Sequence, residues 1–239
     1  MPLRRFRSPP PKSPFGPAWE VPLWIDTLSD PRVMAEIRSV VLDMEKLLKR
    51  DIDPHPVAGI NDGLTNRWQG FNIFAWPEPA MRAFQDFVRT AYLNYLQTLG
   101  IERRRCYVQG WANVVRSGEK FAPHTHDQSP FAYLSGNFTV ACEATSTIYY
   151  PPYFYQGSPN PKASLPITNE PGLLTLFPSA LLHETSMHNA DSERITLAFD
   201  IFLQDYDLGG QRGPGAKHLV FDDPATSGGP GEPVLSRAS

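Results

Sequence analysis

No stretch of this chain approaches the roughly 18 consecutive apolar residues that a membrane-spanning helix requires. Cysteine is scarce: Cys106 and Cys142 are the only two, too few for a disulfide framework, and their spacing matches no zinc motif, so they read as reduced thiols. Neither sign of charge dominates. Lys plus Arg number 22 against 25 Asp plus Glu, a formal charge of −3, which as a whole lacks the electrostatics of a nucleic-acid binder. No internal repeat is present. Arg4, Arg5 and Arg7 are followed by prolines and not by an apolar h-region, so the N-terminus does not read as a secretory signal and a cytoplasmic protein is expected.

What the chain does have is 239 residues, 41% of them apolar and 20% charged, enough for one sizeable domain around a buried core. Proline is abundant at 25 residues, seven of them in the first 22. This places an extended Pro-rich arm at 1–24, a main domain at 25–207 and a Gly/Pro-rich tail at 208–239.

Two segments carry helical periodicity. Asp30 can cap a helix beginning at Pro31, with Val33, Ile37, Val40, Val41, Met44, Leu47 and Leu48 on one face as far as about Arg50. Pro77 to Pro79 announce a second, with Met81, Phe84, Val88, Tyr92, Tyr95, Leu96 and Leu99 on its stripe and Gly100 as its stop. Residues Thr65 to Trp76 between them suit one or two short strands. From Cys106 the period changes to short β runs: 107–115, 131–142, 147–150, 173–177, 181–187 and 194–204. Two helices followed by six or more strands predict an α+β, mainly β fold, a sandwich or jelly roll with the helices packed on one sheet. The Tyr- and Pro-rich segment 149–166 is long enough for a flap.

His124-Thr125-His126 precedes the long strand near Phe131. In extended chain, residues i and i+2 share a face, so the two imidazoles can converge while Thr125 and Asp127 turn away. His183 follows 57 residues after His126, and a jelly roll can bring it beside them to make a three-imidazole divalent-metal site. The plain alternative is exposed histidines beside a turn. Eleven residues beyond His183, Arg194 and Thr196 share one face of a strand. A guanidinium fork beside a hydroxyl suits a clamped carboxylate, although a surface ion pair with Asp191 or Glu193 would use the same arginine.

Taken together, Trp111-Ala112-Asn113, Gly118, His124-Thr125-His126, Leu134-Ser135-Gly136, the run Gly172 to Ser179, His183 and Arg194-Ile195-Thr196 resemble the iron(II)- and 2-oxoglutarate-dependent oxygenases, in particular a putative bacterial branch whose first motif is His-x-His. The resemblance spans roughly 105–204. It implies a double-stranded β-helix, cupin-like, and an oxidoreductase that couples oxidation of an organic substrate, hydroxylation in the usual case, to conversion of 2-oxoglutarate into succinate and carbon dioxide. Its cofactors would be Fe(II) and 2-oxoglutarate; its partners would be dioxygen and a small-molecule or peptide substrate, with no nucleic acid or membrane, and a homodimer is compatible with it. Carried over, His124 and His183 would be metal ligands, and Arg194 with Thr196 would hold the distal carboxylate of 2-oxoglutarate. His126 stands where the wider superfamily has a carboxylate and is assigned as the third ligand, with Asp127 facing away unless a bulge intervenes.

Asn113 and Tyr133 are further candidates for the co-substrate, Tyr133 sharing a face with Ser135 if the strand is regular. Tyr149, Tyr153 and Tyr155 are candidates for a substrate mouth. Trp111 reads as core, and His55, His188 and His218 as ordinary surface or hydrogen-bonded histidines. Two rival functions remain on the same residues: a three-histidine zinc hydrolase or lyase, which would not need Arg194 with Thr196, and a non-catalytic ligand-binding barrel.

Overall fold

A computed structural model of the protein describes residues 2–51, 72–127, 129–152, 164–204 and 218–226. Helix α1 runs Pro31–Asp51 and α2 Pro79–Leu99. Asp30 Oδ1 accepts from the amides of Arg32 and Val33 at 2.9 and 3.2 Å, so the cap expected from sequence is made. Gly100 ends α2 at φ +67°, a left-handed conformation that suits glycine. Ile73–Ala75 is one turn of 3-10 helix, not strand, with Asn72 Oδ1 accepting from the Phe74 amide; residues 65–71 lie outside the described residues.

The strands are β1 (Leu3–Arg7), β2 (Glu20–Thr27), β3 (Cys106–Val115), β4 (Ala132–Ala141), β5 (Ser146–Tyr149), β6 (Leu165–Thr168), β7 (Leu173–Pro178), β8 (His183–Thr185), β9 (Arg194–Phe202) and β10 (Leu219–Asp222). They form two antiparallel sheets: a large one ordered β1-β2-β7-β4-β9-β3-β10 and a small one ordered β6-β5-β8. This is the double-stranded β-helix, mainly β, with both helices on the outer face of the large sheet. The helix-side core holds Ile37, Val41, Phe84, Val88, Tyr92, Leu197 and Phe199. A smaller core of Phe6, Leu23, Tyr149, Ile167, Phe177 and Leu181 lies on the other side, toward the small sheet.

The ends of the chain depart from the expected partition. The arm is built into the large sheet: β1 pairs with β2 and β2 with β7, and Phe6, Leu23 and Trp24 are buried. The boundary at 24 therefore falls inside β2. Pro22 sits opposite Arg5, before the β2–β7 pairing begins at Trp24, where its missing N–H breaks no ladder bond on the β7 side. The tail likewise returns a strand, β10, to β3. Buried Asp222 fastens it, taking bonds from Arg103 Nη2 at 2.6 Å and Arg89 Nη2 at 3.3 Å.

Strand β9 positions the site. Every residue in it is buried, yet its sequence alternates. Ile195, Leu197, Phe199 and Ile201 enter the helix-side core, so Arg194, Thr196, Ala198 and Asp200 face the space between the sheets. Cross-strand partners extend this polar row: Asn113 opposite Thr196, Trp111 opposite Ala198, Ser135 opposite Asp200. A strand covered on both faces has no solvent to satisfy polar side chains, so this row marks an interior built for polar contents.

Candidate metal and co-substrate site

His124 and His183 are paired through backbone, His124 N donating to His183 O at 2.9 Å and His183 N to His124 O at 3.0 Å. Directly opposed residues put their side chains on the same side of a ladder. His126 follows two residues on, and its amide donates to Ser179 O at 2.9 Å. The three rings consequently gather, with centroids 4.4 Å (124–183), 5.1 Å (124–126) and 5.2 Å (126–183) apart. One nitrogen from each lies within 4.8 Å of the others. Asp127 is exposed and accepts instead from Thr125 Oγ1 at 2.6 Å.

All three tautomers are fixed by the other nitrogen. His124 Nδ1 lies 2.8 Å from Ala122 O, His183 Nδ1 2.9 Å from Leu181 O, and His126 Nδ1 2.9 Å from Asp200 Oδ1. Carbonyls and carboxylates only accept, so each Nδ1 carries the proton and each Nε2 keeps its lone pair for a cation. Burial lowers the pKa of His124 below the ordinary imidazole value; in His183 burial, together with the two neighbouring rings, takes it down to about 3. Burial also opposes a proton on His126, but the charge and hydrogen bond of Asp200 outweigh it and raise that ring. Trp111 stacks on His126 at 5.7 Å and 14°, so it walls the site as well as filling space.

The second half of the site is Arg194, only 1% exposed. Its Nε and Nη1 are buried without a hydrogen-bond partner, and among the described residues no carboxylate lies within ion-pair distance. The alternative, a surface ion pair with Asp191 or Glu193, is not made; Glu193 pairs with Arg38 at 2.8 Å. Burial pushes the guanidinium down to about 10, with slight relief from Cys142. Thr196 stands one step further along the same face, and Asn113 Nδ2 donates to its Oγ1 at 3.2 Å. Thr139 Oγ1, opposite Thr196, is also buried and unpartnered. Ala198, whose partner Trp111 covers His126, lies ~13 Å of strand from Arg194.

These residues fit the groups implied by the resemblance. Three neutral imidazoles suit a divalent ion with open positions. A buried, unpaired guanidinium fork suits a carboxylate that comes with a ligand. The net charge also balances: the Arg194 cation and the Asp200 carboxylate offset each other, and a dianionic co-substrate would cancel a +2 ion held by neutral rings.

Tyr133 does not join them. A bulge between Ala132 and Leu134 breaks the alternation, so Tyr133 turns to the helix side, bordering a shallow cleft with Ile101, Glu102, Arg104 and Leu203, while Ser135 faces inward. Tyr149 is no mouth residue either: it is fully buried, its hydroxyl 2.8 Å from Thr175 Oγ1 and its ring 5.9 Å from His183. Tyr153, Tyr155 and His55 lie outside the described residues. His188 is buried with Nε2 2.5 Å from Ser192 O, and His218 stacks on Phe202 with Nε2 3.0 Å from Gln109 Oε1. Sequence reasoning missed Asp200. Its signal was there: Asp200 completes the period-two row begun by Arg194 and Thr196 in an otherwise apolar strand.

The profile of a family described as "Putative 2OG-Fe(II) oxygenase" matches residues 109–200. No curated protein matches the chain. Among solved structures, the non-heme alpha ketoglutarate dependent epimerase SnoN from nogalamycin biosynthesis is similar at TM-score 0.57 and 13% identity, covering 87% of this chain and 94% of that one. The non-heme alpha ketoglutarate dependent carbocyclase SnoK from the same biosynthesis gives 0.56 and 10%, covering 79% and 83%. SnoN in complex with Fe3+, alpha ketoglutarate and nogalamycin RO gives 0.50 and 11%, covering 84% and 91%. At these identities the structural likeness speaks for the fold.

Proposed function

We propose that this chain, whose residues 109–200 match the profile of a putative 2OG-Fe(II) oxygenase, is an iron(II)- and 2-oxoglutarate-dependent oxygenase that hydroxylates an organic small molecule, with His124, His126 and His183 as metal ligands and Arg194 as the anchor of the co-substrate. Iron(II) and 2-oxoglutarate, when bound, supply oxidation by dioxygen coupled to release of succinate and carbon dioxide. The protein's part is to hold and orient. Ala122 O, Leu181 O and Asp200 fix the rings so that three Nε2 lone pairs point to one position. Arg194 would hold the distal carboxylate with its planar fork, and Thr196, whose Oγ1 accepts from Asn113 Nδ2, would add a hydroxyl beside it. Trp111 and the buried Tyr149 wall the rings from bulk water on two sides. The two unpaired thiols suit a reducing compartment such as the cytoplasm.

The observation that carries this reading is the buried Arg194 with two unmet donors on the same inward face as Asp200. A three-histidine zinc hydrolase has no use for it. The test is succinate formation from 2-oxoglutarate by protein reconstituted with Fe(II) and ascorbate, paired with direct 2-oxoglutarate binding. Slow succinate release without added substrate is expected. Protein that holds zinc tightly, binds no 2-oxoglutarate and releases no succinate when loaded with iron would favour the hydrolytic alternative.

A further inference from the structure

Two of the three site imidazoles are oriented by neutral groups, the backbone carbonyls of Ala122 and Leu181. The third is not. His126 Nδ1 faces both oxygens of the Asp200 carboxylate, at 2.9 and 3.1 Å. Ser135 Oγ lies 2.6 Å from Asp200 Oδ1, and Ser179 Oγ 3.0 Å from Ser135 Oγ. Because Ser179 O also receives the His126 amide, the ring is held from its backbone and its far nitrogen by one small network. The Asp200 side chain is 13% exposed, and among the described residues it has no lysine or arginine within ion-pair distance. A carboxylate removed from water with only an imidazole and a hydroxyl for company is costly unless a positive charge lies close. A divalent ion held by the three rings would provide that charge.

We infer that Asp200 is the anionic component of the metal centre: a positioning residue that acts through His126 and delivers by hydrogen bond the negative charge that a directly coordinated carboxylate would deliver. The inference rests on the three-histidine reading above. It accounts for a histidine at 126 without loss of anionic character, because a carboxylate on the Nδ1 proton makes Nε2 a stronger donor. It also gives a reason for an acidic side chain in the interior row of β9, where Thr196 and Ala198 are neutral.

The test is direct metal binding by the full chain, read from the visible spectrum on titration with Co(II). Asp200→Asn keeps the shape and an accepting oxygen for His126 but removes the charge; outer-shell losses of this kind weaken metal binding about 10- to 100-fold. His126→Asp moves a carboxylate into the coordinating position, where it meets Asp200 as a like charge. In that background no ring N–H links residue 126 to Asp200, so Asp200→Asn should change Co(II) binding far less than it does alone. A merely structural role for Asp200 gives the same weakening in both backgrounds. If Asp200→Asn alone accumulates poorly, the comparison within the His126→Asp background decides the matter. Binding by Asp200→Asn within twofold of wild type, or the same weakening in both backgrounds, overturns the inference while leaving the three-histidine site standing. A wild-type protein that takes up no Co(II) overturns both.

Discussion

Replacing Arg194 by methionine should separate stability from co-substrate binding in opposite directions. Burial moves the guanidinium down from its ordinary value to about 10. Arginine stays protonated in both native and unfolded protein at neutral pH, so the native state without co-substrate carries the whole penalty, about 3 kcal/mol at 1.36 kcal/mol per unit. Methionine, similar in length and uncharged, removes it. Metal-free Arg194→Met should therefore be at least as stable as wild type, with a Tm up by about 2–4 °C per kcal/mol recovered. The same change deletes a charge-assisted fork whose loss costs about 3–5 kcal/mol, which is roughly a 150- to 4,000-fold rise in the Kd for 2-oxoglutarate. The assay is a pair of thermal melts, metal-loaded with and without 2-oxoglutarate, plus urea unfolding of the metal-free protein. Wild type should gain stability with co-substrate by mass action and the variant should not. A metal-free variant less stable than wild type by more than about 2 kcal/mol, or a 2-oxoglutarate affinity reduced less than about tenfold, would show that Arg194 serves the fold and refute the argument.

Gly136→Ala should destabilise the protein by about 1–3 kcal/mol, because its Cβ would lie 2.1 Å from Phe199 Cζ and that ring is already wedged against Phe74 and Phe84; an unchanged urea midpoint would contradict this packing. His183 should make the metal-free protein acid-sensitive. Its native pKa of about 3 lies below the unfolded value of 6.5, so the unfolded chain alone takes up a proton as pH falls between them, and stability declines through that window. The His183→Asn variant should show a shallower decline in urea midpoint from pH 7 to 4, and parallel profiles would argue against a buried neutral ring.

Both helices were legible because period, cap and stop agree: Asp30, Pro31 and Gly100 act locally, and tertiary packing only confirms them. The histidine cluster was half legible. Sequence shows that His124 and His126 share a face, but the closing contact is the ladder pair His124–His183, which only the fold creates. Tyr133 was misplaced for an equally specific reason. One extra residue in β4 lets Tyr133 and Leu134 both face the helices, and nothing local announces that bulge. β1 and β2 were hidden by prolines and arginines that suit an edge far better than a core strand, and Tyr149 looked exposed because its neighbours are Tyr and Pro. Asp200 was visible as a residue and invisible as a partner, since its role depends on His126, 74 positions away.

Strand β9 serves two masters, and that limits how this protein can change. Ile195, Leu197, Phe199 and Ile201 fill the helix-side core, while Arg194, Thr196 and Asp200 face the polar interior between the sheets. Inserting or deleting a single residue would exchange the two sets, driving Phe199 into the polar interior and Asp200 into oil. The strand is thus locked in phase. Drift toward new substrates has to be accommodated in the segments that join the strands, where length can vary without disturbing either set.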